Sequence, residues 1–191
     1  MSQTTLDIKE PGLNVLPPGV ERHVVNAGGL TGLQIFPDDE IEIINEEGNQ
    51  ICEIICFDKD GKSELGILNQ KENCKKSFIK ELLKGKDESS LITNLQLKKR
   101  NLDINKSKSS ILFDEQTPSG EKIKIKSKDK CYVIFAAPQN NMLVSEQNPS
   151  SDLTLFIKRN KIVNDKELSI IPDPIYEPNY EENIERQTAI S

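Results

Sequence analysis

The stretch that most limits what this chain can become is EIEIINEEGNQICEIICF, residues 40–57. Residues 40–44 alternate polar and apolar with Ile41 and Ile43 on one face, and a period of two marks a half-buried strand. Residues 51–57 are apolar except for Glu53, which reads as a strand covered on both faces. Between them stands turn chemistry: Gly48 accepts a positive φ without steric cost, and Asn49 tolerates it. The pattern predicts a hairpin. A lone hairpin is not stable in water, so the rest of the chain must supply further strands.

The apolar pattern supplies them. Residues 21–27 and 31–36 read as strands on either side of a turn at Ala27-Gly28-Gly29, where the backbone bends or approaches another group closely. Further along, strands are predicted at 109–113, at 121–127 with Ile123 and Ile125 inward, at 131–137, and at 153–158 with Leu153, Leu155 and Ile157 on one face. The run 131–137 is the most apolar and reads as a central strand; a long polar loop, 138–151, follows it. Residues 71–85 predict the helix: Cys74, Phe78, Ile79, Leu82 and Leu83 recur at helical spacing, and Gly85 stands where a left-handed C-terminal residue belongs. Within the polar stretch 86–110, residues 91–97 read as a strand. The sum is a mainly β chain, an antiparallel β-barrel or sandwich with one short helix.

The domain plan has three parts. Residues 1–20 are an extended lead-in, 21–171 the β-module with a last strand at 168–171, and 172–191 a linker. The ending ERQTAIS (185–191) echoes ERHVVNA (21–27), so the linker leads into the start of a second module. On that reading the chain is the front part of a longer protein.

The net charge of −6 and pI of about 5.0 set the acidic chain against phosphate backbones and argue against a nucleic-acid partner. The basic runs at 98–100 and 122–130 read as solvated faces. The N-terminus lacks the basic start and apolar core of a signal peptide, and no apolar run approaches the ~20 residues that span a bilayer. Cys52, Cys56, Cys74 and Cys131 lie in apolar contexts and read as buried, reduced thiols of a cytoplasmic protein.

His23 is the only histidine, which rules out a barrel site of several histidines. A metal would have to combine Cys52, Cys56 and Cys131 with His23 or a carboxylate, yet Cys52 and Cys56 stand about 13 Å apart along a strand. Nothing local pairs a cysteine with His23, Ser119-Gly120 lacks the flanks of a nucleophile elbow, and Gly28, Gly29 and Gly32 precede no Lys-Ser/Thr pair. Asp38, Asp39, Glu46 and Glu47 sit at turns and are expected in solvent. The residues therefore nominate no catalytic, cofactor-binding or metal-binding side chain. A small-molecule pocket is expected at the loop after Ala137 and the turn at Gly28-Gly29, since loops over a barrel mouth carry binding groups.

PPGVERHVVNAGG (17–29), followed by FPDDEIEI (36–43) and EGNQ (47–50), resembles the opening of the urea carboxylase-associated domain family. Through Cys52-Glu53-Ile54, Asp60-Gly61 and Gly66-Ile67-Leu68 the chain looks like the N-terminal region of long aminomethyltransferase-family proteins. In those, such β-modules precede a folate-binding domain similar to the glycine-cleavage T-protein. TPSGEKI (117–123), YVIF (132–135) and AAPQ (136–139) resemble the family's late strands and terminal Cys-Pro-Gln. The chain departs from that pattern at Ala137, where the family has Cys, and lacks its central His-containing segment.

The resemblance implies a noncatalytic accessory β-module of a folate-dependent aminomethyltransferase-like protein, a transferase of one-carbon and methylated-amine metabolism. Its partners would be a neighbouring module or folate-binding domain, and a small molecule. Tetrahydrofolate would belong to a downstream domain, with no cofactor in this chain. The alternative is a free-standing small-molecule-binding or metal-dependent enzyme of the urea carboxylase-associated type, using Cys131 or Cys52.

Overall fold

The computed structural model describes residues 16–139 and 149–160. Alternating apolar residues build eight strands: β1 (Val20–Val25), β2 (Leu30–Ile35), β3 (Glu40–Asn45), β4 (Cys52–Asp58), β5 (Ser109–Phe113), β6 (Glu121–Lys126), β7 (Cys131–Ala136) and β8 (Leu153–Lys158). They form two four-stranded antiparallel sheets, ordered β1-β8-β3-β6 and β2-β7-β4-β5. This is the topology of a jelly-roll sandwich. Of the two arrangements that the sequence allows, the sandwich forms, and among the described residues neither sheet closes on itself. The inward faces bury Ile41, Ile43, Ile54, Cys56, Phe135 and Leu155 between the sheets.

The predicted hairpin does not form. β3 pairs with β6 and β8, whereas β4 lies in the opposite sheet between β5 and β7. Gly48 (φ 80°) and Asn49 (φ 56°) do adopt left-handed conformations, but the chain crosses the sandwich there instead of folding back. Two buried side chains hold the crossing: Asn45 Nδ2 donates to Gln50 O at 2.9 Å, and Gln50 Nε2 donates to Pro138 O at 2.8 Å. Gly48 packs on the turn before β6, where an added Cβ would come within 2.6 Å of Ser119 N. Period and turn residues fix where strands lie; burial of both apolar faces decides their partners.

Two helices, α1 (Phe78–Leu82) and α2 (Glu88–Lys99), cover the outer face of the second sheet. Ile79, Leu83 and Leu97 pack there on Ile55, Phe57, Tyr132 and Ile134. This outer layer is why β4 and β7 are buried on both faces. The structure corrects the helical reading in three ways. The helix expected over 71–85 is five residues long, because Ser77 caps its start by accepting from Lys80 N. Cys74 lies outside the core, half-buried with Sγ 3.0 Å from Lys76 O. Gly85 is not left-handed; its amide closes the last turn on Leu82 O at 2.8 Å.

The strand expected at 91–97 is α2 instead. Asp87 caps it by accepting from Ser90 N, and a helix N-cap overrides the strand preference of Leu91, Ile92 and Thr93. The described residues belong to one compact unit ending at Asn160. Most of the 138–151 loop, the strand at 168–171 and the linker with its echo lie outside the described residues.

Candidate functional site

Beyond β1, Gly28 (φ 74°) turns the chain into β2. Gly28 N donates to Ala137 O at 2.6 Å, and Ala137 N donates to Gly29 O at 3.2 Å. The two places where sequence puts a pocket are thus joined. Gln139 lies over the turn; a Cβ on Gly28 would come within 3.0 Å of its Cγ. The facing wall is the start of α2. Ser89 Oγ accepts from Leu30 N at 3.2 Å and donates to Asp87 Oδ1 at 2.7 Å, fastening the helix to β2.

Between these walls lies an open cleft of about 720 Å³, whose lining includes Asn26, Thr31, Glu88, Ile92, Gln96 and Gln139. On its inner side Gly32 carries no side chain because the Tyr132 hydroxyl fills that space, donating to Gln96 Oε1. The Arg100 guanidinium lies 4.6 Å from the centre of the Tyr132 ring. Burial pushes the Tyr132 phenol up to about 12, and Arg100 acts against that rise. Hydrogen bonds from Ser90 and Ser89 hold the Asp87 carboxyl down at about 2.

The cleft offers the carboxamides of Asn26, Gln96 and Gln139, the hydroxyls of Thr31 and Ser89, the exposed carboxylates of Asp87 and Glu88, and a few apolar side chains, Ile92 among them. That set can hydrogen-bond a small polar molecule; the Ser89 hydroxyl meets only the Asp87 carboxylate, which at about 2 is a poor base for activating it. Residue type alone does not reveal the α2 wall, because the apolar and β-branched residues of 91–97 read as a strand. The signal was Asp87 ahead of Glu88, a cap followed by an acid in the first turn.

Cys52, Cys56 and Cys131 sit in the core between the sheets. Burial, with the neighbouring Glu53 charge, pushes the Cys52 thiol well above its ordinary range. Cys56 is raised by its hydrogen bond to Cys131 and by burial. Ser127 Oγ stands 3.6 Å from Cys131 Sγ. His23 Nε2 is 3.0 Å from Glu21 Oε2. Among the described residues no three His, Cys, Asp or Glu side chains are grouped to hold a metal ion, so these donors do not fit a zinc site.

Of the four carboxylates expected in solvent, one departs from that expectation. Glu46 and Glu47 are exposed, and Asp38 pairs with Lys126 at 3.0 Å on the surface. Asp39, expected in solvent, is buried: Oδ2 accepts from Arg159 Nη1 at 2.7 Å and from Phe36 N at 3.0 Å. Its partner lies 120 residues away, beyond local reading. Glu53, the break in the apolar run, is also buried, and its Oε2 accepts from Ile79 N at 2.9 Å in the first turn of α1.

No helix among the described residues is long and apolar enough to cross a membrane. No protein-family model matches the chain. It is similar to the trimethylamine-oxide aldolase of Ruegeria pomeroyi, at 31% identity over 182 residues that take in 95% of this chain and 23% of that protein. The chain therefore spans less than a quarter of the length of the curated relative it matches, a protein whose name places it among enzymes acting on methylated amines.

Proposed function

We propose that this chain is a noncatalytic accessory β-module of a longer cytoplasmic protein of methylated-amine metabolism, one resembling folate-dependent aminomethyltransferases. The supporting observation is the reach of the likeness. It runs over 95% of this chain yet takes up only 23% of the trimethylamine-oxide aldolase. In this reading the sandwich packs against a neighbouring module, and the cleft between the Gly28 turn and α2 takes a small polar molecule. One-carbon transfer to tetrahydrofolate belongs to a folate-binding domain elsewhere in the protein.

Calorimetric titration of this chain with tetrahydrofolate tests the reading. A blank titration is expected; micromolar binding overturns the division of labour. Metal analysis of the purified chain addresses the enzyme alternative. Stoichiometric zinc that is lost in Cys131→Ser would establish a metal-dependent module in place of an accessory one.

A further inference from the structure

Helix α2 buries Leu97 against the sheet but turns its other three large apolar side chains outward. Leu91, Ile92 and Leu95 are 52%, 40% and 58% exposed, while Ser90 and Thr93 are buried against the sheet side. Hydrogen bonds fix this orientation. Ser90 Oγ donates to Leu82 O at 2.7 Å, Asn94 Nδ2 donates to Leu83 O at 2.8 Å, and Ser89 Oγ holds Leu30 N. These polar side chains tie the helix to the end of α1 and to β2 and hold Leu91, Ile92 and Leu95 on the outer side. A contiguous exposed apolar stripe of this kind marks a contact surface.

The charges along the stripe name the partner. Glu88 stands at its start, and Lys98 and Lys99 at its end, all three exposed. Residues three and four apart share a helix face, so these charges continue the line through Leu91, Ile92 and Leu95. A face that runs from acid through hydrocarbon to base is complementary to itself when reversed. We infer that α2 is the contact by which two copies of this chain associate, their helices antiparallel about a two-fold axis.

About that axis Leu91 meets the second copy's Leu95, and Glu88 meets its Lys98 or Lys99. The antiparallel arrangement also sets the helix dipoles in opposition. Because α2 is also a wall of the cleft, the second copy would stand beside the cleft mouth. The twelve-residue helix is about 18 Å long, a contact in the small class below ~1,200 Å² where weak, concentration-dependent encounters are found.

Sedimentation velocity of the full chain, from low to high micromolar at low salt, tests this. The expected result is a sedimentation coefficient that climbs from monomer to dimer. Leu95→Glu, at an exposed position where the fold is retained by circular dichroism, should weaken association at least about tenfold, as loss of a central anchor does. Glu88→Lys alone, or Lys98→Glu with Lys99→Glu, should also weaken it, and the three changes together should restore it. A wild-type chain monomeric throughout overturns the inference. So does a dimer indifferent to Leu95→Glu, or a charge-swapped triple variant that stays as weak as its parents.

Discussion

Arg159, just past β8, sets its guanidinium against Asp39, in the turn before β3. Nη1 and Oδ2 are 2.7 Å apart, and the side chains are only 7% and 1% exposed. The same guanidinium reaches Glu21 Oε1 at 2.8 Å and Oε2 at 2.9 Å. Asp39 Oδ1 accepts from Asn160 N at 3.0 Å. One ion cluster thus ties together the approach to β3, the start of β1 and the end of β8.

Removing one partner of a buried pair strands the other without compensation, a loss of about 3–5 kcal/mol where no second partner remains. Arg159 keeps Glu21, so Asp39→Ala should lose about 2–3 kcal/mol in urea unfolding. Arg159→Lys should be only partly tolerated, because an ammonium cannot reproduce the forked contacts. An Asp39→Ala chain as stable as the wild type would show that the cluster contributes nothing.

The Glu21 carboxyl is held down at about 2, from an ordinary 4.5, by its hydrogen bond with His23 and by Arg159, against the opposing effect of burial. The folded state therefore binds this proton less readily than the unfolded one. The resulting stability is fully present above pH 4.5 and drains away as the pH falls toward 2. Denaturant midpoints across that window should fall less steeply for Glu21→Gln than for the wild type. Parallel curves would dissociate Glu21 from acid stability.

Tyr132 should ionise only near pH 12, since burial penalises its phenolate. The chain has three tyrosines, so an ultraviolet titration should show one late step that disappears in Tyr132→Phe. With the folded pKa above the ordinary 10, stability should be lost as the pH rises from 10 toward 12. Gly32→Ala should displace the same ring, because the added Cβ would lie 2.7 Å from Tyr132 Cζ. Overpacking of this kind costs about 1–3 kcal/mol. The late titration step should then move down in pH.

Thiol labelling should separate Cys74 from the other three. Cys52, Cys56 and Cys131 are buried in the core, and Cys74 is half-buried beside the start of α1. A disulfide reagent should modify one thiol quickly in the native chain and the rest only on unfolding. Cys74→Ser should remove the fast phase; fast labelling of all four would mean that the sandwich opens readily.

Much of this protein was determined by sequence alone. The period of two through Ile41 and Ile43, and through Leu153, Leu155 and Ile157, located the strands because alternation follows from the pleat itself. The apolar run of β4, broken only at Glu53, announced a strand covered on both sides, and the run of β7 announced a central strand. Gly28 pointed to one side of the cleft, because a turn that needs a positive φ shows in residue type, and of the segment after Ala137 the described Gln139 lines it.

Only the tertiary structure decided which strand pairs with which. It moved β3 and β4 into different sheets, since a turn's residues do not say whether the chain folds back or crosses over. It also drew Asp39 into the interior, turned 91–97 into a helix and left Leu91 and Leu95 of that helix facing outward while Leu97 is buried. Each of these outcomes depends on a partner far along the chain or on a cap weighed against packing. A burial or a charge pair made across 120 residues leaves no trace in either local sequence.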